Sequence, residues 1–195
     1  MQEIWNQLPE NLPRPTDDGA TDHLNNLEIP SIDLPSTQGG SVHLWAAFQG
    51  PSVLFIYPRA GNPIAPNKNP ALWDTIPGAR GCTPQSCGFR DLMQDFRALG
   101  VNVYGLSVQS PTIQLEFVQR NHISFPILSD AQYKLTDQLR LPTFDFEGER
   151  LVKRMAFFVE KAKIKKVFYP VFPPDKNAAE VLAWLKKGIA TEGPF

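Results

Sequence analysis

The chain has 195 residues, the length of one ordinary domain. Its 42% hydrophobic and 20% charged residues fit a packed core and exclude a disordered or fibrous chain. With 19 basic against 20 acidic residues, a formal net charge of −1, nothing in the balance calls for a nucleic acid or an anionic membrane as partner. Residues 1–27 are polar and interrupted by Pro9, Pro13 and Pro15, which predicts an N-terminal arm ahead of a domain spanning 28–190. This start lacks the basic and apolar regions of a secretory leader, and the longest apolar run, about residues 53–57, is far too short to span a membrane. A cytoplasmic location is expected.

Residues 41–48 follow the turn signal Gly39-Gly40 and read either as a short strand or as the start of a helix. Residues 52–57 form a continuous β-branched and aromatic run, the pattern of a strand buried on both faces. Residues 59–81 carry Pro63, Pro66, Pro70 and Pro77 with Gly61, Gly78 and Gly81; so long an irregular loop inside a compact domain is uncommon and often functional. From 83 to 99 the spacing of Phe89, Leu92, Met93 and Phe96 predicts one helix with a single buried face, ended by Gly100. A strand over 101–106 follows, then a helix opened by Ser110-Pro111 and running to about 121. A short strand over 124–128, a short helix over 132–138 and a connection over 141–150 come next. Two antiparallel strands, 153–160 and 164–169, precede a last helix capped by Asp175, with Val181, Leu182 and Leu185 inside. The order β-α-β-α-β then β-β-α predicts an α/β protein with a mixed central sheet flanked by helices. That is the thioredoxin-like arrangement, with an N-terminal extension and a long insert before the helix that carries both cysteines.

Cys82 stands at the start of that helix, where free N–H groups and a partial positive charge favour thiolate, the nucleophilic form. Cys87 lies five residues on, a net rotation of about 140° and a rise of about 7.5 Å in an intact helix. Cys82 should therefore face inward with the Phe89–Phe96 stripe and Cys87 outward. The Cα atoms would be further apart than the ~7 Å limit of a disulfide, so bonding requires the first turns to unwind. Gly88, a poor helix residue, should ease that opening. Two other readings stand beside this one: a pair of small buried hydrophobes, or a dithiol oxidoreductase, which usually shows the tighter Cys-x-x-Cys spacing. The histidines, His23, His43 and His122, make no ligand cluster with two cysteines, so a structural zinc site is not expected.

The stretch Gly81-Cys82-Thr83-Pro84-Gln85-Ser86-Cys87-Gly88-Phe89-Arg90-Asp91 resembles the peroxiredoxins, and most of all their PrxQ or bacterioferritin comigratory protein branch. Phe55-Ile56-Tyr57-Pro58, Phe125-Pro126-Ile127-Leu128-Ser129-Asp130 and Lys153-Arg154-Met155-Ala156-Phe157-Phe158 resemble further landmarks in the same order, over about residues 28–188. The resemblance implies that Cys82 is the peroxidatic cysteine, oxidised to a sulfenic acid, and that Cys87 resolves it as an intramolecular disulfide. It implies that Arg154 stabilises thiolate and peroxide, and that a thioredoxin- or glutaredoxin-like dithiol recycles the protein as a monomer or homodimer. By residue type alone Arg154 is an ordinary edge-strand arginine. One departure is clear: the family's hydroxyl three residues before the cysteine is replaced by Ala79. Thr75 or Thr83 could supply it instead. Trp73 and Ile76 could line an apolar mouth for organic hydroperoxides, pack on a second subunit, or belong to a loop folded on itself. Two functions remain open at this point: a peroxidase reducing hydrogen peroxide or organic hydroperoxides, and a redox sensor that uses the same Cys82–Cys87 switch without turnover.

Overall fold

The computed structural model describes residues 8–63 and 66–192. Residues 1–7 of the expected arm and 64–65 of the insert lie outside them. A hairpin opens the fold, β1 (Asp33–Pro35) and β2 (Ser41–His43), leading straight into the short helix α1 (Leu44–Ala47). Residues 41–48 are thus a strand and then a helix. Next come β3 (Ser52–Ile56), α2 (Pro70–Thr75), α3 (Cys82–Asp91) and α4 (Met93–Ala98). They are followed by β4 (Asn102–Ser107), α5 (Pro111–Arg120), β5 (Ile127–Ser129) and α6 (Lys134–Gln138). The chain ends with β6 (Thr143–Phe146), β7 (Glu149–Val152), β8 (Met155–Glu160), β9 (Lys163–Phe168) and α7 (Asn177–Glu192).

Five strands form the central sheet in the order β5-β4-β3-β8-β9. β3 pairs with β4, and β4 with β5, in parallel; β3 with β8, and β8 with β9, run antiparallel. β3 lies in the middle, which is why its sequence is apolar without alternation: all five of its residues are buried. Its side chains still alternate between two cores. Val53 and Phe55 join Phe89, Phe96, Phe117, Val181 and Leu185 under the helices of one face. Leu54 and Ile56 join Leu24, Ile29, Leu34, Leu44, Phe48 and Leu135 on the other. Leu24 and Ile29 show that the described part of the N-terminal segment contributes directly to the second core.

Three expectations need correction. The single helix over 83–99 is divided at Leu92, whose φ of −99° and ψ of 10° leave the helical region; Phe89 and Phe96 stay in ring contact at 5.6 Å across the break. The connection over 141–150 is instead the hairpin β6–β7, turned by Glu147 and Gly148 at positive φ. Asp175 lies in a 3-10 turn, Pro174–Lys176, that precedes α7, and its Oδ1 has no hydrogen-bond partner, so it does not cap the helix.

The insert is neither bare loop nor free surface. Asn69 Oδ1 accepts from Leu72 N at 3.0 Å and Pro70 occupies the first turn, so α2 starts on a capped N-terminus. Trp73, buried, packs against Phe144 and Phe146 of the β6–β7 hairpin, at ring distances of 6.2 and 4.8 Å. Arg59 lies over the Trp73 and Phe146 rings at 5.5 and 5.0 Å and pairs with Glu149 and Glu147 at 2.9 and 3.2 Å. It also donates to Asn67 Oδ1 at 2.7 Å, while Glu147 accepts from Asn69 N at 2.7 Å. This third cluster of aromatic rings and charges fixes the insert onto the hairpin.

Candidate active site

Cys82 is the first residue of α3, and Gly81 before it takes a left-handed φ of 102°. A Cβ on Gly81 would sit 2.3 Å from Pro174 Cγ and 2.8 Å from Leu8 Cδ2, so only glycine allows the chain to enter the helix here. Gln85 N donates to Gly81 O at 3.0 Å and closes the first turn. Residues 82–86 are all buried, with the insert and the Pro174 turn packed around the helix start. Cys82 belongs to the core containing Phe89 and Phe96, whereas Cys87 is only partly buried; both are free thiols on an intact helix. Burial raises the Cys87 thiol above its ordinary range, opposed by the charge of Arg90, reinforced by Asp91 and opposed again by Arg120.

Arg154 stands between β7 and β8, 3% exposed. Its Nη2 lies 3.2 Å from Cys82 Sγ and also donates to Ala79 O at 2.9 Å and Arg80 O at 3.1 Å. Nε donates to Gly78 O at 3.1 Å, and Nη1 makes a short bond to Gln85 Oε1. Gln85 Nε2 in turn donates to Asn177 Oδ1 at 2.9 Å, at the start of α7. Among the described residues no carboxylate pairs with Arg154. A buried cation satisfied only by neutral oxygens retains a strong field. Among the hydrogen-bond partners of Arg154, Cys82 Sγ is the only atom that is not a neutral oxygen. That sulfur also approaches Ala79 O at 3.7 Å. Burial holds the fully enclosed Tyr57 phenol well above its ordinary range, opposed by Ser107 and reinforced by Cys82.

A cleft of about 110 Å³ opens beside the sulfur, lined by Cys82 and Thr83 from α3 and by Arg59, Asn67, Trp73 and Arg80 from the insert. Thr83, 2% exposed, therefore reaches the cleft. Thr75 does not: it ends α2 on the exposed side, and its hydroxyl turns back to Leu72 O at 2.7 Å. Trp73 lines the cleft while its rings face the hairpin, and Ile76 lines a different cavity. The structure thus sets Arg154 against Cys82 Sγ, places Thr83 beside Cys82 on the same cleft, holds Cys87 five residues away along the helix, and leaves Thr75 outside. Sequence reasoning missed Gln85, Asn177 and Arg59. Gln85 had a signal, since a residue three after Cys82 shares its side of the helix; Asn177 and Arg59 had none. Among the described residues no group of histidine, cysteine and acidic side chains suits a metal ion, and no helix is long and apolar enough to cross a membrane.

A thiol at a helix start, beneath an uncompensated guanidinium on a thioredoxin-like sheet, defines a thiol-based redox protein. Comparison with known proteins narrows this. The Redoxin family matches residues 24–182. Peroxiredoxin Bcp of Escherichia coli K12 is 31% identical over 163 residues, which cover 81% of this chain and 92% of that one. Chloroplastic peroxiredoxin Q of Populus jackii is 28% identical over 159 residues, 80% of this chain and 65% of that one. The crystal structure of peroxidoxin BcpB from Mycobacterium tuberculosis superposes with a TM-score of 0.67 at 28% identity, covering 84% of this chain and 96% of that one. Xanthomonas campestris peroxiredoxin Q, at 20% identity and a TM-score of 0.62 over 91% of this chain and 95% of that one, shares the fold. The chain belongs to the peroxiredoxins, thiol peroxidases that take a peroxide as substrate and a thiol as reductant.

Proposed function

We propose that the protein reduces a hydroperoxide through Cys82 and resolves the product through Cys87. The Cys82 thiolate attacks the terminal, hydrogen-bearing peroxide oxygen, the O–O bond breaks, and with one proton on the departing alkoxide the products are Cys82–SOH and ROH. Arg154 stabilises negative charge on the sulfur and on the leaving oxygen. Thr83 is the hydroxyl best placed to orient the peroxide where Ala79 offers none. α3 then opens locally, the Cys87 thiolate attacks the sulfenic sulfur, and water leaves as the disulfide forms. An external dithiol of the thioredoxin or glutaredoxin type exchanges with that disulfide and restores both thiols. No cofactor enters, since sulfur carries both electrons.

The observation that carries this reading is the contact of 3.2 Å between Arg154 Nη2 and Cys82 Sγ at the start of α3. The test counts free thiols after one equivalent of hydrogen peroxide is added to reduced protein. Wild type should lose both thiols to an 82–87 disulfide, Cys87→Ser should stop at a sulfenic acid, and Cys82→Ser should stay reduced. Retention of both thiols in wild type with hydrogen peroxide and with organic hydroperoxides would reject the reading. Rapid multiple turnover with a dithiol separates a peroxidase from a sensor built on the same two cysteines.

A further inference from the structure

Behind Arg154, on the side away from the thiol cleft, lies a larger cavity of about 320 Å³. It shares no lining residue with the cleft at Cys82. The N-terminal segment, the end of the insert, β6 and the 169–171 segment all wall it, so it forms only in the complete fold. Its size falls within the range of small-molecule sites. Much of the wall is apolar, with Pro15, Ile76, Pro77, Phe144 and Val171 among the contributors.

The charges on this wall are unequal. Arg14, Lys153 and Arg154 supply three cations, and Asp18 the one carboxylate. Asp18 is already committed: Lys153 Nζ lies 2.7 Å and the Tyr169 hydroxyl 2.8 Å from its oxygens. Arg14 stacks over Phe172 at 5.3 Å and has no carboxylate partner among the described residues. An apolar chamber with surplus positive charge at its wall is complementary to an anion with an apolar body.

We propose that this cavity binds a small carboxylate with an apolar body, held by Arg14, and that its occupancy is felt at Cys82. The coupling rests on the proposed role of Cys82 and has a short physical path. Arg154 and Gly78 line the cavity, Arg154 Nε holds Gly78 O at 3.1 Å, and the same guanidinium touches the sulfur at 3.2 Å. A carboxylate seated here competes for the field of Arg154 and slows oxidation of the thiol.

Octanoate serves as the probe and 1-octanol as its neutral counterpart, titrated by NMR into reduced protein without peroxide. Octanoate should bind saturably, and Arg14→Ala or exchange for octanol should weaken binding by at least about fivefold. Ile76→Trp, which fills the chamber without removing a charge, should abolish it while the melting temperature shows the protein folded. Loss of the Cys82 thiol to hydrogen peroxide should then slow by about fivefold at saturating octanoate. Absence of saturable binding, or binding indifferent to Arg14 and to the carboxylate, would overturn the site. Binding that leaves the oxidation rate unchanged would overturn the coupling. Because binding is read without peroxide, a failure of the peroxidase reading and a failure of this one are distinguishable.

Discussion

Replacing Gly81 with alanine should destabilise the protein and displace the Cys82 thiol. Two costs combine. At φ 102° an L-residue loses on the order of 1–2 kcal/mol relative to glycine. The new Cβ would also lie 2.3 Å from Pro174 Cγ and 2.8 Å from Leu8 Cδ2. The proline ring cannot swing aside as a long side chain would, and overpacking of this kind costs about 1–3 kcal/mol. The expected loss is therefore about 2–5 kcal/mol, or roughly 4–20 °C in Tm for a chain of this size. Gly100→Ala is the matched control: its φ is +71°, and a Cβ there would meet nothing within 4 Å. That variant bears the backbone cost alone. Urea unfolding of both should separate them by the packing contribution, about 1–3 kcal/mol. Because relief of the clash moves the residue preceding Cys82, Gly81→Ala should also slow reaction of the thiol with peroxide, while Gly100→Ala should not. Equal destabilisation by the two substitutions would refute the argument that Pro174 and Leu8 enforce glycine at this helix start.

Arg154→Lys keeps the charge but not the planar fork that reaches three carbonyls, Gln85 and the sulfur together, so peroxide oxidation of Cys82 should slow on the order of a hundredfold. Stopped-flow rates within threefold of wild type would contradict it. In Cys82→Ser protein, alkylation of Cys87 should stay slow at neutral pH and accelerate only above the ordinary thiol range near 9, because burial favours the protonated form; a midpoint below that range would count against it. Stability linked to Cys87 is present below its unfolded value and lost as pH rises through the higher folded one. Asp18 behaves oppositely: Lys153 and Tyr169 hold its carboxyl at about 2, so its contribution is present above 3.8 and lost as pH falls toward 2. The pair is partly exposed, so Asp18→Asn should cost no more than about 1 kcal/mol and flatten the acid limb of a stability–pH curve, which unfolding in urea at pH 2–5 would reveal.

The features legible in the sequence were those encoded locally. The apolar run of β3 and the Phe89–Phe96 spacing defined a buried strand and the inner face of the following helix, and Gly81-Cys82 marked the helix start. What escaped was shaped by distant partners. The hairpin β6–β7 had a usable signal in the alternation of Phe144 and Phe146 ahead of the turn Glu147-Gly148, yet each strand is only four residues long. Asn69-Pro70 marked the start of α2 in the same way and was obscured by the surrounding prolines. Arg59 and Asn177 carried no signal at all, since their roles depend on contacts 88–92 residues away. Thr75 shows the opposite error: a suitable hydroxyl, close in sequence, that its helix turns away from the cleft.

The partners of Cys82 are also added late in synthesis. The helix start emerges from the ribosome with Gly81 and Gln85, but Arg154, Pro174 and Asn177 follow 72, 92 and 95 residues later. Until they arrive, the nascent chain lacks the Arg154 guanidinium at the sulfur, the proline ring against Gly81, and the amide that holds Gln85. The hairpin that anchors the insert, residues 143–152, is likewise still to come. On the proposed role of Cys82, the surroundings that would activate the thiol are thus complete only in the finished chain.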